Sequence, residues 1–257
     1  MKRFAIILIL IIGLPVFSKT ISGEIKKETT SNMNKIYDSY NNEPIAGAQI
    51  KLPAYHYSTV TNDDGTFKLE TQINAPTIMS VQKDGYKPFS MSLNTENKQP
   101  IIVGIEKTTP NDIIIETDMI HLGDNTFSER SANAYDFSLQ STGPFYSKDF
   151  EIPTLQNGEN IFLTIGSIIG IDTMQARAMG QSGVKTAYAS PPEIFCNGSK
   201  IAEIKINGDN QKINIPKSLI AGANIVNITI KTGRNLFKKS DIDFDDIEFT
   251  NLLLEVK

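Results

Sequence analysis

Five carboxylates, Asp241, Asp243, Asp245, Asp246 and Glu248, fall within nine residues just ahead of the apolar run Leu252-Leu253-Leu254. The apolar residues between them change parity. Ile242 and Phe244 share one face of an extended chain, whereas Ile247 and Phe249 share the other, which predicts a bend or bulge at Asp245-Asp246. Carboxylates held at the foot of a buried final strand have two fates open to them: they coordinate a hard cation such as calcium, or they lie solvated on a rim. The spacing Asp241, Asp243, Asp245 begins like an EF-hand loop. Asp246 then stands where that loop needs glycine, and Leu252 where it needs a bidentate glutamate, so the run is not an EF-hand. A second acidic pair, Glu116 and Asp118, is two residues apart in a strand-like segment and would project from one face. On paper Glu116 with Asp246 is also a carboxyl pair able to hydrolyse a glycosidic bond, although a cation site would use the same residues.

Other reactive side chains are few. The chain has two histidines, His56 and His121, and one cysteine, Cys196. That is too little for a four-ligand zinc site, and no H-E-x-x-H, nucleophile-elbow, phosphate-loop or dinucleotide pattern occurs. Cys196 can form no intramolecular disulfide, and just before an Asn-Gly turn it is expected to be a small buried hydrophobe. Sugar recognition needs flat rings, and the chain has no tryptophan. Tyr135, Tyr146 and Tyr188, in expected loops of the second half, are the candidate ligand contacts. A formal charge of -4 argues against non-specific nucleic-acid binding, which needs a basic surface. No catalytic residue is expected, and calcium, in a structural role, is the only cofactor considered.

The elements that must position these residues are strands. Met1-Lys2-Arg3, the apolar run from Phe4 to Phe17 and the small residue Ser18 have the order of a secretory signal, with cleavage expected after Ser18. The apolar run is short for a membrane span, so no stable transmembrane segment is expected after cleavage. Beyond it, short alternating runs recur at Lys35–Tyr40, Ala46–Leu52, Ser58–Thr61, Thr66–Glu70, Thr77–Gln82, Ser90–Leu93 and Ile101–Ile105. This is the rhythm of an all-β sandwich, and Asn62-Asp63-Asp64-Gly65 predicts a hairpin. Polar residues 107–112, containing Pro110, read as a linker between a first sandwich over 19–106 and a second over 113–257. In the second, Phe145–Ile152, Asn160–Ile169, Glu193–Cys196, Lys200–Ile206, Gln211–Ile215, Asn224–Ile230 and Ile247–Val256 read as strands. Asn197-Gly198 and the stretch 207–210 are read as hairpin turns, and Ile247–Val256, apolar on both parities, as a central strand.

Glu43-Pro44-Ile45-Ala46-Gly47-Ala48, then Thr61-Asn62-Asp63-Asp64-Gly65-Thr66-Phe67, then Lys83-Asp84-Gly85-Tyr86 resemble the carboxypeptidase regulatory-like domain, a transthyretin-like β-sandwich. The resemblance covers roughly Lys35 to Leu93 and implies a fold and a place in exported multidomain proteins, with no catalytic residues to carry over. The second half resembles the jelly-roll sandwich of galactose-binding-like and carbohydrate-binding modules. That likeness rests on Ile115-Glu116-Thr117-Asp118, on the stretch from Phe195 to Ile201, on Ile215-Pro216 with Gly222-Ala223-Asn224, and on Asp245-Asp246-Ile247-Glu248-Phe249. Such modules often hold a structural calcium with carboxylates of their first and last strands, which here implies Glu116, Asp118 and Asp246, with Asp245 beside them. The expectation is therefore an exported, non-enzymatic binding or structural protein of the cell surface or periplasm, with glycans or cell-surface proteins as partners. The alternative is a carbohydrate-binding protein proper, acting through the jelly-roll half.

Overall fold

Period-two burial organises the first half of the chain. The computed structural model describes residues 33–95, 99–128, 130–133, 136–153, 159–185, 187–237 and 242–257. The expected signal segment, Tyr135 and Asp241 lie outside them. Seven strands come first: β1 (Asn34–Asp38), β2 (Gln49–Leu52), β3 (Tyr57–Val60), β4 (Thr66–Phe67), β5 (Thr77–Gln82), β6 (Phe89–Leu93) and β7 (Ile102–Ile105). They form a three-stranded sheet in the order β4-β1-β7 and a four-stranded sheet in the order β3-β2-β5-β6. Alternate residues of both sheets, among them Ile36, Ile50, Leu52, Phe67, Met79 and Val81, meet in one core. The turn at Asn62–Gly65 is tight, with the Asn62 N–H on the Thr66 carbonyl at 2.8 Å. It is nevertheless not the turn of a two-stranded hairpin: β3 pairs with β2 while β4 pairs with β1, so the turn carries the chain from one sheet to the other.

The second half adds β8 (Ile113–Glu116), β9 (Ile120–Leu122), β10 (Phe145–Glu151), β11 (Ile161–Ile169), the short helix α1 (Met174–Ala178), β12 (Glu193–Cys196), β13 (Ser199–Glu203), β14 (Gly208–Asn214), β15 (Ile225–Lys231) and β16 (Ile247–Val256). One sheet runs β10-β15-β12-β13. The other runs β14-β11-β16-β8, with β9 also on β16. Their facing sides enclose a larger core that includes Leu163, Ile165, Cys196, Ile228, Phe249 and Leu252. Cys196 is fully buried, and burial pushes its thiol up to about 11, the behaviour of a packed hydrophobe. Asn197-Gly198 closes the β12–β13 hairpin with both residues at positive φ, as a two-residue turn requires. The stretch 207–210, by contrast, switches sheets, because β14 pairs with β11 and not with β13.

β16 is central, with β11 on one side and β8 and β9 on the other. Its both-parity pattern has a specific cause. Ile247 and Phe249 face the core, and so do Leu252, Leu254 and Val256, which a regular pleat forbids. The pleat inverts at Asn251, held at φ 60, and β11 inverts with it at Gly166, since Ile165 and Ile168 both face the core. The other side of β16 is covered too, because β5 and β6 lie against β11, β14 and β16. Ile78, Ser80 and Ser90, on the side of β5 and β6 facing away from their own core, are buried there. The approach is close: a Cβ on Gly166 would stand 2.4 Å from the Ser90 Oγ. Residues 33–257 thus stack as four β-layers with two apolar cores and one polar seam, within a single compact unit.

Ion pairs and side-chain hydrogen bonds cross the seam. Lys87 reaches Glu255 at 2.8 Å and Asp112 at 3.5 Å, and Glu255 also takes Lys212 at 3.1 Å. Burial opposes the charge on Glu255, but these lysines and Thr164 outweigh it and hold the carboxyl well below the usual range. Asp209 accepts from the Ser92 N–H at 3.0 Å, and the Gln82 amide donates to the Thr117 carbonyl at 3.0 Å. The segment read as a linker is tied down at its start, with the Thr108 N–H on the Gly85 carbonyl and the Lys87 N–H on the Glu106 carbonyl.

Candidate functional site

The acidic run is neither a solvated rim nor a cage. Asp243, Asp245, Asp246 and Glu248 are each no more than 2% exposed. Burial of four acids requires that each be hydrogen-bonded, paired or neutralised. The backbone does part of this. The Asn235 N–H donates to the Asp243 carbonyl at 2.8 Å, and the Asp245 N–H to the Gly233 carbonyl at 3.0 Å, so residues 233–235 and 243–245 lie side by side.

Three of the four, Asp243, Asp245 and Asp246, then reach neighbouring loops. Asp243 accepts from Ser131 Oγ at 2.9 Å and from the Asn235 amide at 2.8 Å. Asp246 Oδ1 meets His121 Nε2 at 2.8 Å and accepts the Asn125 N–H at 2.9 Å, while its Oδ2 accepts the Asn133 amide at 3.1 Å. Gly123 makes room for this, since a Cβ there would fall 2.3 Å from the Asp246 carboxylate. Asp245 Oδ2 accepts the Asp172 N–H at 3.1 Å. Burial, then the neighbouring charge of Asp172, raises the Asp245 carboxyl well above the usual carboxylate range.

His121 is the counter-charge. Its Nδ1 faces the Leu139 carbonyl at 2.6 Å, which can only accept, so Nδ1 carries a proton. Burial disfavours the charged ring, but the Asp246 and Leu139 bonds outweigh it and raise its pKa. An imidazolium donating from both nitrogens fits both partners. Glu248 lies opposite His121 in the β16–β9 ladder. Burial pushes it up to about 7, with His121 pulling the other way, and neither of its oxygens has a hydrogen-bond partner among the described residues. The network as a whole is a brace: it ties the start of β16 to the loops at 123–133, 172 and 232–235.

The four residues expected to share a cation are not brought together. Glu116 lies opposite Leu252, whereas Asp246 precedes Ile247, which lies opposite Leu122. Six residues of strand separate the two levels, about 20 Å at the usual rise. The first and last strands do adjoin, as the resemblance implied, but their register spreads the acids along them. Glu116 instead accepts from Tyr146, Lys148 and the N–H groups of Thr117 and Asp118. Burial resists its charge, yet the Asp118 N–H, Lys148 and Tyr146 bonds prevail and lower its pKa. Asp118 lies past the end of β8, exposed, so the two acids do not share a strand face. Among the described residues, no three His, Cys, Asp or Glu side chains converge as a metal-holding group.

The expected ring donors also separate. Tyr146 is half-buried, its ring edge-on to Phe249 at 5.7 Å and its hydroxyl on Glu116. Tyr188 sits at the loop end that the brace supports. Residues 188–190 lie along 234–236, with the Leu236 N–H on the Tyr188 carbonyl at 2.9 Å and the Ser190 N–H on the Arg234 carbonyl at 2.9 Å. The Tyr188 ring has Phe237 5.5 Å away on one side and the Arg177 guanidinium 5.1 Å away on another. Leu236 (57%) and Phe237 (61%) are exposed, as are Met174 (65%) and Met179 (57%) at the two ends of α1, which carries Arg177. Sequence reasoning missed Arg177, Phe237 and the role of His121. A Phe two residues after an Asn that caps it, Asn235 to the Phe237 N–H, was the one local signal of a shaped loop.

A search among curated proteins gives no match to this chain. The model of the CarboxypepD_reg-like domain matches residues 35–116, the first sandwich together with β8.

Proposed function

We propose that the chain is an exported, non-enzymatic binding or structural protein of the cell surface or periplasm, and that it engages its partner through the loop end around Tyr188 and Phe237. One observation carries this reading: half-buried Tyr188, set between exposed Phe237 and the Arg177 side chain and next to exposed Leu236, stands on loops braced from beneath by buried carboxylates. Exposed apolar groups gathered on a rigid support are what a binding surface needs, because ordering costs are met before the partner arrives. The acids and the imidazole that might have suggested hydrolysis are engaged with one another below the surface. A second reading, carbohydrate binding through this half, is favoured by the aromatic pair beside a guanidinium, which offers a ring face and hydrogen-bond donors together.

The test is binding of the mature protein, with and without calcium, to a glycan array and to isolated envelopes of the producing organism. Tyr188→Ala with Phe237→Ala is the control. Envelope binding that falls at least tenfold in the double variant supports the proposal, and a specific array signal that falls with it selects the carbohydrate reading. Equal binding by both proteins refutes the loop end as the recognition surface.

A further inference from the structure

The polar seam between the sandwiches contains a cleft of about 430 Å³, within the size range of small-molecule sites. Phe89, Met91 and Leu253 give it apolar walls, and Lys87, Glu255 and Lys212 line it as a mutually paired cluster. Glu106 pairs with the same Lys87 at 3.4 Å and Asp209 is held by the Ser92 N–H and hydroxyl, so each charged wall group already has a protein partner and the cleft favours a neutral guest. Two further wall residues are unusual. Neither amide atom of Asn251, 1% exposed, has a hydrogen-bond partner among the described residues, and the same holds for the Ser90 hydroxyl, 4% exposed. A buried amide left unpaired is unfavourable, and a guest that supplied its missing bonds would relieve that cost.

The backbone adds an independent sign. Asn251 sits at φ 60 in the middle of a central strand, and Asn210, also in the cleft wall, is at φ 52. Positive φ in a strand interior breaks the pleat, and such strain is retained where function requires it. What the break does here is turn the Asn251 side chain away from the apolar core, towards the seam. Gly166, directly beside it, lets both wall residues close on the β11 backbone, since a Cβ there would fall 2.4 Å from Ser90 Oγ and 2.7 Å from Asn251 Cβ.

We propose that this seam cleft is a binding site for a neutral mono- or disaccharide, distinct from the loop end, with Asn251 and Ser90 as its hydrogen-bonding residues. The inference deepens the carbohydrate reading and rests on it for the ligand class. The Asn251 amide offers a donor and an acceptor side by side, the complement of two adjacent hydroxyls, and Ser90 adds a third polar contact. The C–H face of a sugar ring packs on Phe89, Met91 and Leu253. Both residues line the cleft, with their polar atoms buried in its wall.

The experiment is thermal melting of the full chain with 50 mM glucose, galactose, mannose, N-acetylglucosamine, lactose or cellobiose. The same series is run on Asn251→Gly, which keeps the positive φ and removes the amide, on Ser90→Ala, and on Tyr188→Ala. At least one sugar is expected to raise the Tm by about 3 °C or more, with the rise lost in Asn251→Gly, reduced in Ser90→Ala and kept in Tyr188→Ala. If Asn251→Gly does not fold, the reduction in Ser90→Ala decides alone. A shift that survives both seam variants but disappears in Tyr188→Ala overturns the cleft while leaving carbohydrate binding at the loop end. No shift with any sugar overturns the cleft site as well, and leaves the loop-end proposal to its own envelope-binding test.

Discussion

Replacing Glu248 with Gln should reverse a penalty that the fold carries at neutral pH. The carboxyl is buried without a partner and is pushed up to about 7 from an ordinary 4.5. Its folded pKa is raised, so the favourable term from keeping it protonated is fully present below pH 4.5 and is lost as pH rises through 7. At 1.36 kcal/mol per pH unit, that gap amounts to about 3 kcal/mol between the two ends of the window. Glutamine does not titrate. Wild type and Glu248→Gln should therefore differ by a constant below pH 4.5, and by about 3 kcal/mol more in favour of the variant at pH 8. For a unit of this size that is a relative gain of about 6–12 °C in Tm. The assay is thermal melting of both proteins from pH 4 to pH 8.5. His121 titrates in both chains and is coupled to Glu248, so the difference curve reports the Glu248 carboxyl together with that coupling. A difference that stays flat within 2 °C across this range would refute the claim that Glu248 is held in a dry, unpaired site.

Removing the counter-charge with His121→Ala should cost about 3–5 kcal/mol by urea unfolding, because Asp246 is then buried with amide partners only. Since the His121 pKa is raised, its contribution is present below about pH 6.5 and fades as pH rises through the folded value, so the cost should shrink at alkaline pH. Gly166→Ala should destabilise by about 1–3 kcal/mol through contact with Ser90, and adding Ser90→Gly should recover part of that loss; independent, additive effects would argue that the two sheets do not meet there. With Glu116 and Asp118 at the end of β8 and Asp246 ahead of β16, at separate levels of the ladder, chelator and millimolar calcium should give the same melting curve, and a shift of several degrees would show that the acids do bind the ion.

Strands were readable from sequence where apolar runs stop at turn residues. Glu193–Cys196 alternates and ends at Asn-Gly, while Thr77–Gln82, which ends at Lys-Asp-Gly, and Ile247–Val256 are apolar on both parities because both of their faces are buried. Partner choice was not readable. The turn at 62–65 and the stretch at 207–210 have hairpin chemistry, yet each joins strands of different sheets, because turn residues specify the local reversal and not which edge the next strand joins. The three-residue strand β9 is too short for a periodic signal, and it is the element that brings His121 to Asp246.

Register explains why the site was half visible. Residue type correctly marked the run 241–248 as the place where charge would need an explanation, and adjacency of first and last strands was implied by resemblance. Whether two acids on adjoining strands meet depends on an offset along the ladder, and one residue of offset moves a side chain about 3.3 Å and to the opposite face. Nothing local in Glu116 or Asp246 encodes that offset; it is set by the sum of core contacts made by Leu252, Leu254, Ile247 and Phe249 against β8, β9 and β11. Those contacts fix β16 and leave its acids where they fall. Asp243 and Asp246 then acquire their role from loops that fold over them, Ser131 and Asn133 on one side and Asn235 on the other. A brace of this kind needs every member in place. Ser131→Ala, which removes one hydroxyl from one carboxylate, should therefore loosen the loops at 123–133 and 232–235 together, and hydrogen exchange that rises in only one of them would show the brace to be two independent contacts.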